Sequence, residues 1–239
     1  MPVPARDAAL DGRHVVITGV GRPGQAGEVV AQAFAASGAH VHLLDRDPGI
    51  AERASDIGVA ATPYQVDLTD LDAVHQVAAQ VSAASDGRLA AVLNIAGGFA
   101  MSGPLAGSDP AIWHKMVAIN LTTAYVVTRA FLPLVRAGGG TVLFIGSQAA
   151  LPGGKSAGMA AYAAAKAGVI SLMRSVAQEE LAHGVTANAV APSAIRTAAN
   201  LDAMGDRFKY VEREEFAAAL LQLCAPSARR ITGQVIELG

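Results

Sequence analysis

Short apolar runs, rich in β-branched residues, alternate along this chain with longer alanine-rich segments of helical period. The runs are HVVITG (14–19), HVHLLD (40–45), ATPYQVDL (61–68), LAAVLNIAG (89–97), TVLFIGS (141–147), VTANAVAP (185–192) and GQVIEL (233–238). Between them the spacing predicts helices near 24–37, 49–57, 70–84, 109–137, 158–183 and 212–224. A strand can lie parallel to the preceding one only after a long crossover, and a helix supplies it. Strands this continuously apolar are buried on both faces. The pattern therefore predicts an α/β fold, a doubly wound parallel sheet of seven strands with helices on both faces. No repeat, low-complexity tract or linker divides the sequence, so one domain over 1–239 is expected.

In such a sheet ligands bind beyond the carboxyl ends of the strands. The polar and glycine punctuation falls at those ends: Gly19, Asp45, Asp67, Asn94 to Gly97, Ser147 and Pro192-Ser193. The first strand runs into a glycine-rich turn with Gly19, Gly21, Gly24 and Gly27, and then into a helix. Glycine lets backbone amides come close to a phosphate, and the helix N-terminus adds free N–H groups and a positive dipole end. Glycines also serve plain turns, but this pattern's place after the first strand, with Asp45 ending the next, points to dinucleotide binding. Asp45, ending the second strand, is placed to accept from an adenosine ribose and to repel a 2′-phosphate, which favours NAD(H). Arg22 and Arg46 keep NADP(H) possible, because either can pair with that phosphate. Asp67 and Leu68, closing the third strand, are candidates for the adenine edge; Asp67 is also a candidate N-cap for the helix near 70.

The segment AAYAAAKAGV (160–169) places Tyr162 and Lys166 four positions apart in an alanine-dense helix, hence on one face. Alone, such a pair reads as a surface contact. Together with Thr18-Gly19, Gly24 and Gly27, Asp67, NIAG at 94–97, Asn120 in AINLTTAY, Ser147 in IGS, APSAIRT at 191–197 and the terminal ITGQVIEL, it resembles the short-chain dehydrogenase/reductase family over essentially the whole chain. The resemblance implies a Rossmann-fold NAD(P)-dependent oxidoreductase, a ketoreductase or dehydrogenase acting on an alcohol/ketone pair. It implies Tyr162 as acid/base, Lys166 as the cation that tunes it and holds the nicotinamide ribose, and Ser147 as donor to the substrate oxygen. Asn120 would distort its helix and hold a water that relays protons to Lys166. Ala96 and Gly97 would lie against the cofactor, Asn94 would tie the crevice together, and Pro192, Ile195 and Thr197 would meet the nicotinamide, with a short lid near 196–213. Relatives often pair the helices near 109–137 and 158–183 between subunits, which implies a homo-oligomer, a tetramer or dimer.

The chain departs from the family's usual spacing in two places. Thr18 to Gly27 is two residues longer, and so is Ser147 to Tyr162; Ser193 stands where glycine often follows the proline. Two readings of other classes stay open at this level: a lyase or epimerase using the same phenol with retained cofactor, and a nucleotide-binding regulator without turnover.

Composition narrows the partners. Charged residues make up 16% and apolar residues 52%, so little solvated surface is available and some faces should be buried against other subunits. A net charge of −2 with no basic block excludes nucleic acid and acidic membrane surfaces as expected partners. The single Cys224 fits a reducing compartment, MPVPARDAAL lacks a secretory pattern, and no apolar stretch is expected to span a bilayer, so a cytoplasmic protein is expected. His40 and His42 share a strand face, but no carboxylate or thiol joins them and no metal site is expected. Cys224 reads as packing, and so does Trp113. Ser147 lacks a nucleophile-elbow sequence. The pocket segments 98–108, 148–161 and 201–213 are mostly small and apolar, compatible with a neutral or bulky hydrophobic carbonyl compound: a ketoacyl thioester, a polyketide, a steroid or a cyclic alcohol.

Overall fold

The computed structural model describes residues 10–207 and 209–239. The opening segment 1–9 and Phe208 of the expected lid lie outside the described residues. Each predicted run forms a strand: β1 His14–Thr18, β2 His40–Asp45, β3 Ala61–Gln65, β4 Ala91–Asn94, β5 Thr141–Ile145, β6 Thr186–Pro192 and β7 Val235–Leu238. They pair in one sheet of order β3-β2-β1-β4-β5-β6-β7, and every pairing is parallel. Pro63, which lacks an N–H, sits on the edge strand β3, where sheets tolerate it.

The helices are α1 Ala26–Ala36, α2 Ile50–Ile57, α3 Leu71–Ala84, α4 Pro110–Met116, α5 Thr123–Gly138, α6 Ala160–Glu179, α7 Ala198–Met204 and α8 Arg213–Cys224. Alternation along the strands divides the core. Val15, Ile17, Val41 and Leu43 pack with Val30, Phe34, Phe216 and Leu220 from α1 and α8. Val16, Leu44, Val92 and Phe144 pack with Val74 and Val81 from α3, Val127 and Phe131 from α5, and Val169 and Met173 from α6. Both faces are thus covered, as the apolar runs require.

Three expectations need correction. Asp70, not Asp67, caps α3: its carboxylate accepts from the amides of Asp72 and Ala73, whereas Asp67 accepts from the Thr69 amide and hydroxyl. Trp113 is 46% exposed on α4 and anchors no core. The continuous helical stretch Pro110–Gly138, 29 residues, is long and apolar enough by length and composition to cross a bilayer. In this fold, Val126, Val127, Phe131 and Val135 of that stretch are buried against the sheet.

At the amino end of the strands His14 joins His40 and His42. His14 Nδ1 lies 2.9 Å from His42 Nε2, and His42 Nδ1 lies 3.3 Å from the Tyr64 hydroxyl. No group of three metal-ligating side chains that fits an ion occurs among the described residues. Burial, then the neighbouring His14 and His40, hold His42 down to about 3. The unfolded chain binds a proton there near pH 6.5 and the folded chain does not. Stability is therefore full above pH 6.5 and falls as pH drops from there toward 3, by about 1.4 kcal/mol per pH unit at the steepest. Urea melts between pH 7 and 4 should show this slope, and His42→Gln should flatten it; equal slopes would remove His42 as the cause.

Candidate active site

The carboxyl ends of the strands open onto a cleft of ≈ 530 Å³. Thr18, the last residue of β1, ties two strand ends together: its hydroxyl donates to the Leu93 carbonyl (3.2 Å) and accepts from the amides of Ile95 and Ala96 (3.0 Å each). Gly19 follows with φ +81°, and a Cβ there would lie 2.8 Å from the Ala96 backbone. At Gly27, in the first turn of α1, a Cβ would overlap the Gly19 carbonyl oxygen. The glycine loop is therefore folded as tightly as two backbones allow. Gln25, the residue before α1, makes no side-chain cap, so the first-turn amides stay open toward the cleft, where Gln25, Ala26 and Gly27 form part of the lining.

The extra residues of this loop fold back over β2. The Gly21 amide donates to Asp45 Oδ2 (2.9 Å) and the Asp47 amide to Asp45 Oδ1 (3.0 Å). Asp45 is thereby fixed, with one acceptor site left on each oxygen. Gly24 donates to Glu28 Oε2 (2.8 Å), and its carbonyl accepts from the Ala198 amide at the start of α7 (3.3 Å).

At the other end of the cleft lie Tyr162 and Lys166 on α6. Tyr162 sits in the first turn, partly buried, and lines the cleft. Lys166 is 5% exposed; its Nζ donates to the Ile145 carbonyl (2.9 Å) and lies 5.9 Å from the Tyr162 ring centroid. Burial lowers Lys166 to about 8. Burial also raises the Tyr162 phenol, and the Ser147 hydroxyl partly offsets that rise. Ser147 is buried after β5, where its Oγ accepts from the Ala149 amide (3.3 Å).

Asn120 does distort its helix. Val117–Thr122 is a π-helical segment between α4 and α5. The Asn120 side chain is buried there and bonds the Gly98 amide and carbonyl as well as the Met116 carbonyl. This holds the Gly97-Gly98 turn beside Lys166, whose Nζ would be 3.5 Å from a Cβ on Gly97. Asn94, at the end of β4, is buried, and its Nδ2 donates to Thr128 Oγ1 (3.0 Å).

Of the residues expected at the site, Gly19, Arg22, Gly27, Asp45, Asp67, Leu68, Ala96, Gly97, Tyr162, Lys166, Ile195 and Thr197 line the cleft. Gly21, Gly24, Asn94, Asn120, Ser147 and Pro192 are not among the lining residues. The lining also takes in Phe99, Lys115 and Asn200, which the motifs did not single out. Phe99 meets the Tyr162 ring edge-to-face, with centroids 5.0 Å apart at 87°. No periodic or motif signal marks it, because it lies in an irregular loop.

The segment 196–213, expected as a lid, contains α7, and Thr197 caps that helix by accepting from the Asn200 amide (3.2 Å). Arg196 clips this segment to its own later residues. Its guanidinium bonds Asp206 (2.7 Å) and Glu212 (2.9 Å) and lies over the Tyr210 ring at 5.0 Å. Tyr210 Oη in turn bonds the Gly205 carbonyl at 2.7 Å. Arg196→Met should speed tryptic cleavage after Arg207 and Lys209 several-fold. High salt should do the same to the unaltered protein, since exposed pairs are screened at about 3 Å in 1 M salt. Equal cleavage rates would show that these pairs do not hold this segment.

A family model described as short chain dehydrogenase matches residues 13–206. The chain belongs to the short-chain dehydrogenase family. The galactitol 2-dehydrogenase (L-tagatose-forming) of Cereibacter sphaeroides is 30% identical, over 96% of this chain and 94% of that protein. The 3-ketoacyl-(acyl-carrier-protein) reductase of Brucella melitensis, solved with NADH, superposes with a TM-score of 0.86 at 26% identity, over 96% of this chain and 97% of that one. A Beutenbergia cavernae structure assigned as an NAD(P)-dependent gluconate 5-dehydrogenase, holding NADP at low occupancy, gives 0.85 at 30% identity, covering 97% and 96%. As a short-chain dehydrogenase, this protein is an NAD(P)-dependent oxidoreductase that moves hydride between a nicotinamide and an alcohol/ketone pair. The cradle fits that cofactor: open α1 amides and glycines with no room for a Cβ sit where a diphosphate needs them.

Proposed function

We propose that this protein interconverts a secondary alcohol and its ketone, with Tyr162 as acid/base, Ser147 as donor to the substrate oxygen and Lys166 and Asn120 as the groups that hold and supply the proton path. The observation that carries this reading is that Tyr162 and buried Lys166 line a cleft shared with the glycine loop, with the Ser147 hydroxyl hydrogen-bonded to the Tyr162 phenol. The nicotinamide supplies or accepts the hydride. In reduction the Tyr162 phenol gives its proton to the substrate oxygen, and in oxidation the phenolate takes the hydroxyl proton. The raised phenol keeps Tyr162 protonated at neutral pH, which suits reduction. Oxidation requires the phenolate, so the positive charge of Lys166 must help form it. Ser147 Oγ donates where negative charge gathers on the substrate oxygen.

NAD(H) is the favoured cofactor. The fixed Asp45 carboxylate retains one acceptor site per oxygen for ribose hydroxyls and repels a 2′-phosphate. Arg22 and Arg46 line the same end of the cleft, so NADP(H) is the competing occupant. Pairing through the helices near 109–137 and 158–183 in a dimer or tetramer is supported by the exposed rings of Trp113 and Tyr125 on the first of them and is readable by sedimentation at micromolar concentration. The test is to follow nicotinamide absorbance with each cofactor and a panel of secondary alcohols and ketones. Hydride transfer with NAD(H) at least tenfold more efficient than with NADP(H) is expected. Cofactor-induced thermal stabilisation without transfer to or from any of them would refute the catalytic reading.

A further inference from the structure

We propose that the substrate is a neutral, largely apolar secondary alcohol or ketone, and that Phe99 sets this preference. The inference rests on the redox reading of the site and adds what the site selects. The reacting carbon must lie within reach of both the Tyr162 and Ser147 hydroxyls, and the Phe99 ring packs against the ring that carries the first of these. Phe99 is 44% exposed, lines the cleft and packs edge-to-face on Tyr162. A substituent on the reacting carbon that turns toward this side meets carbon.

Phe99 is held there by its loop. The Ser102 amide and hydroxyl and the Gly103 amide all donate to the Gly158 carbonyl, and Met101 packs against Gly158 itself. The loop after β4 is thus stitched to the enlarged segment that precedes Tyr162.

Three nearby polar side chains each spend one group on the protein itself. Asn200 Nδ2 donates to the Ile195 carbonyl, Thr197 Oγ1 caps α7, and Gln148 Nε2 donates to the Leu238 carbonyl. A polyol would bring several hydroxyls to this wall, and each buried without a partner is unfavourable. Charge is sorted in the same way. Arg22, Asp45, Arg46 and Asp67 belong to the glycine loop and the ends of β2 and β3, and Lys166 bonds a backbone carbonyl. Lys115, exposed on α4, is the remaining charged residue of the lining.

The test uses the unaltered protein with saturating NAD and measures kcat/KM for 2-butanol through 2-octanol, for galactitol and for 3-hydroxybutyrate. Efficiency should rise along the alkanols, approaching about fourfold per methylene where burial is complete, mainly through KM. Galactitol and the hydroxy acid should fall at least tenfold below 2-octanol. Phe99→Leu should keep the slope, and Phe99→Ser should flatten it while the cofactor still raises the melting temperature. Galactitol exceeding 2-octanol, the hydroxy acid exceeding it through Lys115, or a flat series would overturn the substrate class and leave the redox reading standing. A slope unchanged in Phe99→Ser would overturn the role of Phe99. Cofactor binding with no hydride transfer from any of these alcohols, or to their ketones, would overturn both readings.

Discussion

Tyr162→Phe should lower turnover by about 10²–10⁴, the usual contribution of a placed general acid or base, while cofactor binding stays intact. The substitution removes one oxygen and retains the ring that packs edge-to-face against Phe99, so the wall of the cleft persists. Lys166 is held by the Ile145 carbonyl and by burial, neither of which depends on the phenol. Cofactor-induced thermal stabilisation should therefore be unchanged within error, whereas nicotinamide absorbance should stay flat with substrate. The pH profile offers a separate check. Oxidation in the unaltered protein should improve as pH rises toward the raised phenol, and that limb should vanish in the variant. Turnover unchanged by Tyr162→Phe would end the assignment.

The second large effect is on stability. Arg136, in the last turn of α5, makes a two-pronged bond to Glu180 at the end of α6, with Nε to Oε2 at 2.6 Å and Nη2 to Oε1 at 2.5 Å. The Glu180 side chain is fully buried, while Arg136 is 44% exposed. A carboxylate at a helix C-terminus already opposes the helix dipole. Arg136→Met would leave it buried and unpaired, a change of about 3–5 kcal/mol for enclosed pairs. The half-exposed guanidinium places this pair at or below the lower bound, because solvent already screens it. A fall in Tm of at most about 6–12 °C follows for a chain of this size. Adding Glu180→Gln should recover part of it by removing the stranded charge. The bond to Arg136 holds the Glu180 carboxyl below its ordinary value. Its contribution is therefore present above the unfolded-state value and lost as pH falls through the folded one. In Arg136→Met that acid loss should disappear. A Tm change under about 2 °C would show the pair to be dispensable.

Element order and sheet type were legible because they depend on local period. The runs at 14–19, 40–45 and 141–147 each bury both faces, and such strands need helical crossovers whatever the remaining sequence does. The four-residue spacing of Tyr162 and Lys166 showed only a shared helix face, which alone reads as a surface contact; their place at the site came from the family resemblance. Asn120 was legible as a misfit in a helix interior, and the π-helical segment is the form that misfit takes.

Relations between distant parts of the chain were not legible in this way. Whether Asp67 or Asp70 caps α3 turns on which carboxylate faces the open amides, a matter of backbone angle at one turn. Trp113 looked like a core residue by size and by its place before Asn120, yet α4 directs it to solvent. His14 joined His40 and His42 because parallel pairing sets residue 14 beside residue 40. The contact of Phe99 with Tyr162 and the Arg196 clip on Asp206 and Glu212 join residues across loops without period. Sequence alone determined which segments become strands and helices and which chemical groups reach the sheet's carboxyl edge, since both follow from local spacing. Tertiary structure decided which of those groups touch, how deeply Lys166 and His42 are buried and what wall a substrate meets, because these depend on loop paths and desolvation that no short window of sequence contains.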